Sequence, residues 1–272
     1  MGYANLIYQP NREDLRGTMA SQGSAWYVDF FRSDYLNVYG HMFTAERAEK
    51  ESAFVASVLD LKAGAQVLDL CCGQGRHSVQ LAKRGLQVTG LDLNPEYLEL
   101  AQQAAAAAKV KIETIAADMR EIPFVGKFDA IVNMYSSFGY LESEADDVRV
   151  LESAAKALKA GGRLLLDMLN REWAIDNYIQ NDWHTGADGT LYVERRDLDL
   201  ATSRMHVHFI VVDPDGGRRE SIGHIIRLYT LTEMTRLLER VGMRTTAVFG
   251  GFDGEEYGIA TRRMIVVAQK EI

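Results

Sequence analysis

From about residue 45 the apolar positions of the chain switch repeatedly between helical spacing and short continuous runs. AERAEKESAFVASVLDL predicts an amphipathic helix with Phe54, Val55, Val58 and Leu59 turned inward, and AQVLDL predicts the strand after it. A glycine turn opens the next helix, which runs to Lys83 with Gly85 as its stop. LQVTGLD predicts a second strand; Asn94 then caps a helix with Pro95 at its first position and alanines 104 to 108 as filler. KIETIAAD, FDAIVNM and RLLLDML predict three further strands, and between the last two lies a helix expected to start at Ser143 and end at Gly161. Such alternation is the signature of an open, mostly parallel α/β sheet.

After residue 170 the rhythm changes. A loop rich in Trp, Asp and Gly gives way to the alternating stretches TLYVERRDL, RMHVHFIVV and RRESIGHIIRLY, the last two joined by DPDGG. These predict antiparallel strands in a small lobe inserted after the fifth strand. Thr230 and Glu233 then form a capping box for a helix reaching Arg240, Gly242 closes it, and RTTAVFG and RMIVVAQ finish as a strand pair. The expected organisation is an N-terminal helical lid over residues 1–44, a sheet domain over 45–170 and 230–272, and an antiparallel β lobe over 171–229 that binds the acceptor or contacts a second copy in a homodimer.

Composition narrows the setting. A chain of 272 residues, 47% hydrophobic, can bury a substantial core. A formal net charge of −8 argues against a broad phosphate-tracking surface, so no nucleic-acid partner is expected. The two cysteines, Cys71 and Cys72, are adjacent and poorly placed to bridge, which suits a reducing compartment. The first residues lack a basic start followed by an apolar run, and no segment reads as a membrane span; a cytoplasmic protein without membrane contact is expected.

The chemistry concentrates at predicted strand tips. VLDLCCGQGRHS carries Asp69 at the end of the first strand, then Gly73 and Gly75, with Ser78 where a dinucleotide-binding turn has its third glycine. A carboxylate there repels a pyrophosphate and attracts a ligand bearing an ammonium group. The Gly-Lys-Ser/Thr of a phosphate-binding loop is also missing. Asp92 ends the second strand, seventeen residues after Gly75, where a carboxylate accepts both ribose hydroxyls; Asp118, Met119 and Arg120 end the third and offer an acceptor for an adenine amino group beside an apolar wall. Each acid is equally suited to capping a turn, but three at successive tips point together to an adenosine-containing methyl donor, S-adenosylmethionine.

In VLDLCCGQGRHS, GLDLN, AADMREIPF and FDAIVNMYSSFGYL the chain resembles the class I S-adenosylmethionine-dependent methyltransferases, over roughly residues 45 to 170. The resemblance implies a Rossmann-like doubly wound sheet of seven strands whose last strand is antiparallel, with S-adenosyl-L-homocysteine as product. It implies a cofactor site at Asp69, Cys71, Gly73, Gly75, Asp92, Leu93, Asp118, Met119, Arg120 and Met134, covered by the aromatic N-terminal segment with Tyr39. Within the class the chain is most similar to small-molecule enzymes such as the aminosugar N,N-dimethyltransferases. It departs from them at Tyr140, where they are expected to carry a histidine base, so the acceptor is not read from them.

For the acceptor, Tyr140 lies just past the fourth strand tip as a candidate catalytic hydroxyl or an aromatic wall, and His41 is a second catalytic candidate on the lid. Tyr35, His224, Arg227 and Tyr229 are candidate substrate-binding residues, with Arg227 alternatively paired to a local acid such as Glu194. If Val212 pairs with Arg218, His206 falls opposite His224 and three histidines share one face; lacking a carboxylate or thiolate companion, they are not expected to hold a metal. The reading is methyl transfer to an N, O or C nucleophile of a small-molecule acceptor by direct displacement. Its rivals are a nucleic-acid or protein methyltransferase, a NAD-dependent oxidoreductase, and a cofactor-binding protein without methyl transfer.

Overall fold

The computed structural model describes residues 26–33, 35–186 and 188–271; most of the first 25 residues' expected lid role therefore falls outside the described residues. The helices are α1 (Trp26–Ser33), α2 (Tyr35–Tyr39), α3 (Ala45–Val58), α4 (Arg76–Lys83), α5 (Pro95–Ala107), α6 (Glu144–Ala157), α7 (Arg171–Asp176) and α8 (Leu231–Arg240). The strands are β1 (Gln66–Leu70), β2 (Gln87–Asp92), β3 (Glu113–Ala116), β4 (Phe128–Asn133), β5 (Leu158–Leu169), β6 (Asn181–Thr185), β7 (Leu191–Asp199), β8 (Arg204–Val212), β9 (Arg218–Arg227), β10 (Met243–Phe249) and β11 (Arg263–Lys270).

Seven strands form one sheet in the order β10-β11-β5-β4-β1-β2-β3. β1 pairs parallel with β2 and β4, while β11 runs antiparallel to both β5 and β10. Strand alternation divides the apolar residues between two faces. Leu68, Leu70, Ile131, Leu164 and Leu166 pack with α6 and α8, and Val67, Val132, Leu165 and Ile265 pack with α3, α4 and α5. The predicted caps are in place: the Asn94 side chain accepts from the Glu96 N–H, that of Ser143 from Asp146, and Thr230 and Glu233 complete their box.

One predicted boundary is corrected. The sixth helix stops at Ala157, because the carbonyls of Lys156 and Ala157 accept the N–H groups of Gly126 and Lys127, each at 2.9 Å, and Leu158 already pairs with Phe128. Gly161, with φ +71°, is a kink within β5.

The second sheet has four antiparallel strands in the order β6-β7-β8-β9. β6 was hidden in the stretch read as loop; as a mostly exposed edge strand it has no inward alternation to betray it. Val212 does pair with Arg218, but a bulge at Gly223 shifts the register, so that His224 faces Val207 and His206 faces Ile225. The expected cluster of three histidines on one face is therefore not formed. His206 and His208 stay on the half-buried face, while His224 turns inward with Val207.

At Gly223 a Cβ would stand 2.1 Å from the Val207 carbonyl oxygen, too close for any side chain. Gly223→Ala is expected to destabilise the protein by about 2 kcal/mol, as overpacking does, measured as a shift in urea unfolding midpoint. Unchanged stability would show that the bulge is dispensable.

Candidate functional site

The strand order reverses between β1 and β4, so the chain leaves the middle of the sheet in both directions and opens a crevice at the carboxyl ends of these strands. The principal cavity lies there, walled on one side by the strand tips and on the other by α1 and α2. Of the sequence-predicted cofactor residues, Asp69, Cys71, Gly73, Asp92 and Leu93 line it from the first two tips, and Asp118, Met119 and Met134 from the third and fourth. Backbone strain collects at the same place: Cys71, Tyr135 and Ser136 all have φ near +60° without being glycine.

The turn divides its labour. The Gly73 N–H donates to an Asp92 carboxylate oxygen at 2.8 Å, and the Asn94 N–H donates to the other at 2.9 Å. Ser78, the residue that replaces a third glycine, donates its hydroxyl to Asp69 at 2.5 Å. Gly75 faces away from the cavity; its φ is +75° and a Cβ would stand 2.7 Å from that of Ala101, so it is needed for packing α4 on α5. Burial pushes the carboxyls of both Asp69 and Asp92 up, opposed at Asp69 chiefly by His77 and at Asp92 by its two backbone donors. One buried and one half-buried acid thus share a crevice that suits a cationic ligand. Burial also pushes the thiols of Cys71 and Cys72 well up, which leaves them unreactive walls.

Arg120 is corrected from a cavity residue to a clamp: its guanidinium holds Asp118 in two hydrogen bonds, at 3.0 and 2.7 Å, and reaches Asp146 at 3.3 Å. That pairing, above all, holds the Asp118 carboxyl below its ordinary range.

The sequence reading missed a second set of residues beside the turn. The Arg76 guanidinium lies 3.7 Å from the ring centre of Tyr135 and 4.6 Å from that of Phe43, and its Nη1 is buried without a hydrogen-bond partner, 3.5 Å from Glu51. Glu51, buried on the inward stripe of α3, accepts from the Tyr135 hydroxyl at 2.8 Å and contacts His77 Nε2 at 2.8 Å. Below them, fully buried Asp167 accepts from the Tyr135 N–H at 2.8 Å and from Arg263 Nε at 2.6 Å, while Arg263 also donates to Ser136. These bonds hold the two strained residues in place. A readable signal existed in Glu51, an acid on an otherwise inward-facing helical stripe; Asp167 and Arg263 meet only across the β5–β11 pair.

The lid side is aromatic. Tyr35 and Tyr140 line the cavity as expected, joined by Tyr27, Phe31 and Phe43. Tyr97 on α5 donates its hydroxyl to the Phe31 carbonyl, tying the lid to the sheet domain. Tyr39 and His224 are corrected to positions behind this wall. Tyr39 packs on Phe209 and His224, and the His224 ring lies 6.0 Å from that of Tyr140 and 5.5 Å from that of Phe30. Burial lowers the His224 pKa to about 3, so it is neutral. His41 is exposed on the turn Gly40–Met42, against His184 and outside the cavity. Arg227 pairs with Glu233 at 2.8 Å, whereas Glu194 pairs with Arg196. Tyr229 is a core residue whose hydroxyl donates to Asp147 at 2.6 Å.

Residues 67–162 match the model of a methyltransferase domain. A dTDP-3-amino-3,4,6-trideoxy-alpha-D-glucopyranose N,N-dimethyltransferase of Streptomyces venezuelae is 27% identical over 236 residues, covering 82% of this chain and 96% of that protein. Among solved structures, the CcbJ methyltransferase from Streptomyces caelestis superposes with a TM-score of 0.76 at 18% identity, covering 89% of this chain and 98% of the other. CalS10, an amino pentose methyltransferase from Micromonospora echinaspora solved with S-adenosylmethionine bound, has a TM-score of 0.59 at 21% identity and covers 99% and 100% of the two chains. Over residues 67–162 the chain therefore carries a methyltransferase domain.

Two measurements check the supporting network. Asp167→Ala leaves Arg263 without its buried partner and is expected to cost about 3 kcal/mol in urea unfolding; a cost below about 1 kcal/mol would mean that the pair does not hold the loop. Burial raises the Asp147 pKa to about 6, above its unfolded value near 3.8. Its carboxyl therefore binds more protons folded than unfolded between those values, so its contribution to stability is full at low pH and lost as pH rises through about 6. Relative to the wild type, Asp147→Asn should gain stability progressively from about pH 4 to pH 7; a constant difference across that range would contradict the assignment.

Proposed function

We propose that the protein transfers a methyl group from S-adenosylmethionine to a nucleophile of a small molecule held beneath α1 and α2, by direct displacement. The observation that carries this reading is the crevice in which buried Asp69, half-buried Asp92 and the incompletely paired Arg76 line one cavity. Asp92 retains lone pairs for the ribose hydroxyls after accepting from Gly73 and Asn94. Asp69 is placed to balance the ammonium group, and Arg76 Nη1 to receive the carboxylate of the methionine portion. Leu93 and Met119 supply an apolar slot for the adenine, with Asp118 as acceptor for its amino group.

When bound, the cofactor supplies an electrophilic methyl carbon on a sulfonium whose leaving group is neutral. The protein's part is then mainly positional. The lid excludes water, and the walls hold the acceptor in line at near-attack distance. Tyr140 lines the cavity, and burial pushes its pKa well above the ordinary tyrosine value, so it acts toward an acceptor as a neutral hydroxyl and does not serve as a base. The region 171–229 backs the lid and Tyr140, which supports a role in shaping the acceptor chamber.

Calorimetric titration tests this reading: S-adenosylhomocysteine should bind and NAD should not. Asp92→Ala is expected to weaken S-adenosylhomocysteine by about 1–3 kcal/mol through loss of charged hydrogen bonds. Tight NAD binding without S-adenosylhomocysteine binding would overturn the proposal, and an unchanged affinity would remove Asp92 from the ribose role.

A further inference from the structure

We infer that the acceptor is an amine on an uncharged, largely apolar body, with no carboxylate or phosphate beside the reacting nitrogen; the inference deepens the methyl-transfer reading and rests on it. The distribution of charge around the cavity is one-sided. Among the described residues its charged lining groups are Asp69, Arg76, Asp92 and Asp118, and all four stand at the strand tips assigned to the cofactor. His77, the remaining titratable group apart from the tyrosines and cysteines, sits beside Arg76 and is engaged with Glu51.

The facing wall is made of Tyr27, Phe31, Tyr35, Leu36, Tyr140 and Leu141. Its rings form a continuous chain: Tyr140 to Phe31 at 5.6 Å, Phe31 to Tyr35 at 4.8 Å and Tyr35 to Phe43 at 5.5 Å between centroids. Trp26 supports Tyr140 from behind at 5.5 Å. Among the described residues no charged side chain of the lobe lines the cavity. Glu194 and Arg196 neutralise one another in two hydrogen bonds of 2.7 and 2.8 Å, Arg227 is paired with Glu233, and His224 lies buried and neutral among the rings of Phe30, Tyr39 and Tyr140.

Two consequences follow from chemistry alone. The negative faces of aromatic rings attract an ammonium group and disfavour an anion, and a carboxylate taken into such a chamber loses its water without gaining a cation. A hydroxyl or carbon acid, in addition, needs a base to become nucleophilic, and the described lid-side wall presents only phenols whose acidity burial has weakened. An amine needs none once it has given its proton to solvent before it enters, since only the neutral form carries the attacking lone pair. Its nitrogen lone pair forms the new N–C bond as the C–S bond breaks, the bonding pair returns to sulfur, and the positive charge passes to nitrogen beside the aromatic faces. The methylated ammonium then loses its proton to solvent after release.

The test uses matched probes on the full chain. First, S-adenosylhomocysteine binding is established by calorimetry; its failure would sink the methyl-transfer reading itself. The protein saturated with S-adenosylhomocysteine is then titrated with phenethylamine against phenylalanine and with tryptamine against tryptophan. Turnover of the same compounds and of p-cresol with S-adenosylmethionine is followed by S-adenosylhomocysteine release. Each amine is expected to bind about tenfold or more tightly than its amino acid, and the amines but not p-cresol to be methylated. Equal or tighter binding of the amino acids, methylation of p-cresol, or failure of both amines to bind protein that does bind S-adenosylhomocysteine would overturn the inference and leave the cofactor assignment standing.

Discussion

Two carboxylates, buried Asp69 and half-buried Asp92, share one crevice at the tips of neighbouring strands, and much of the surrounding structure serves to keep them there. Burying like charges together is unfavourable unless donors and a cation compensate. The glycine turn supplies a backbone donor, Asn94 a second and Ser78 a hydroxyl. What remains is an electrostatic demand for a cationic ligand, and that demand is the physical basis of the cofactor site.

The opposite wall follows a different rule. Helices α1 and α2 present rings to the cavity and rest on the inner face of the four-stranded sheet, where Phe30, Tyr39, Phe209 and His224 form a shared core. The lobe is therefore coupled to the site through packing, and through Arg204, which donates to the carbonyls of Leu141 and Glu142. The Gly223 bulge is what makes this arrangement work. Without the extra residue, His224 would lie on the face of His206 and His208, and the surface behind Tyr140 would lose its cap.

Strain at the fourth strand tip completes the site. Tyr135 and Ser136 occupy left-handed backbone conformations that are costly for side-chain-bearing residues, and Asp167 and Arg263 over-determine them from β5 and β11. Tyr135 in turn carries the Arg76 guanidinium on its ring. The loop after the fourth strand is thus held from β5 and β11.

The succession of strands and helices along the chain, the caps at Asn94, Ser143 and Thr230, and the acids at successive tips were legible because each depends on residues close together in sequence: a periodic apolar run, a capping side chain, a glycine beside an aspartate. The same local chemistry identified Asp69, Gly73 and Asp92 as residues of one site. Tertiary structure decided what depends on contacts between distant segments. It turned Arg120 into a clamp and Gly75 into a packing contact, drew Tyr229 into the core and left His41 in solvent. It also set the face on which His224 lies, since one bulged residue reverses every side chain beyond it. Periodicity can announce that a strand exists, but its register, and so which side chains meet across the site, is settled only when the partner strands pair.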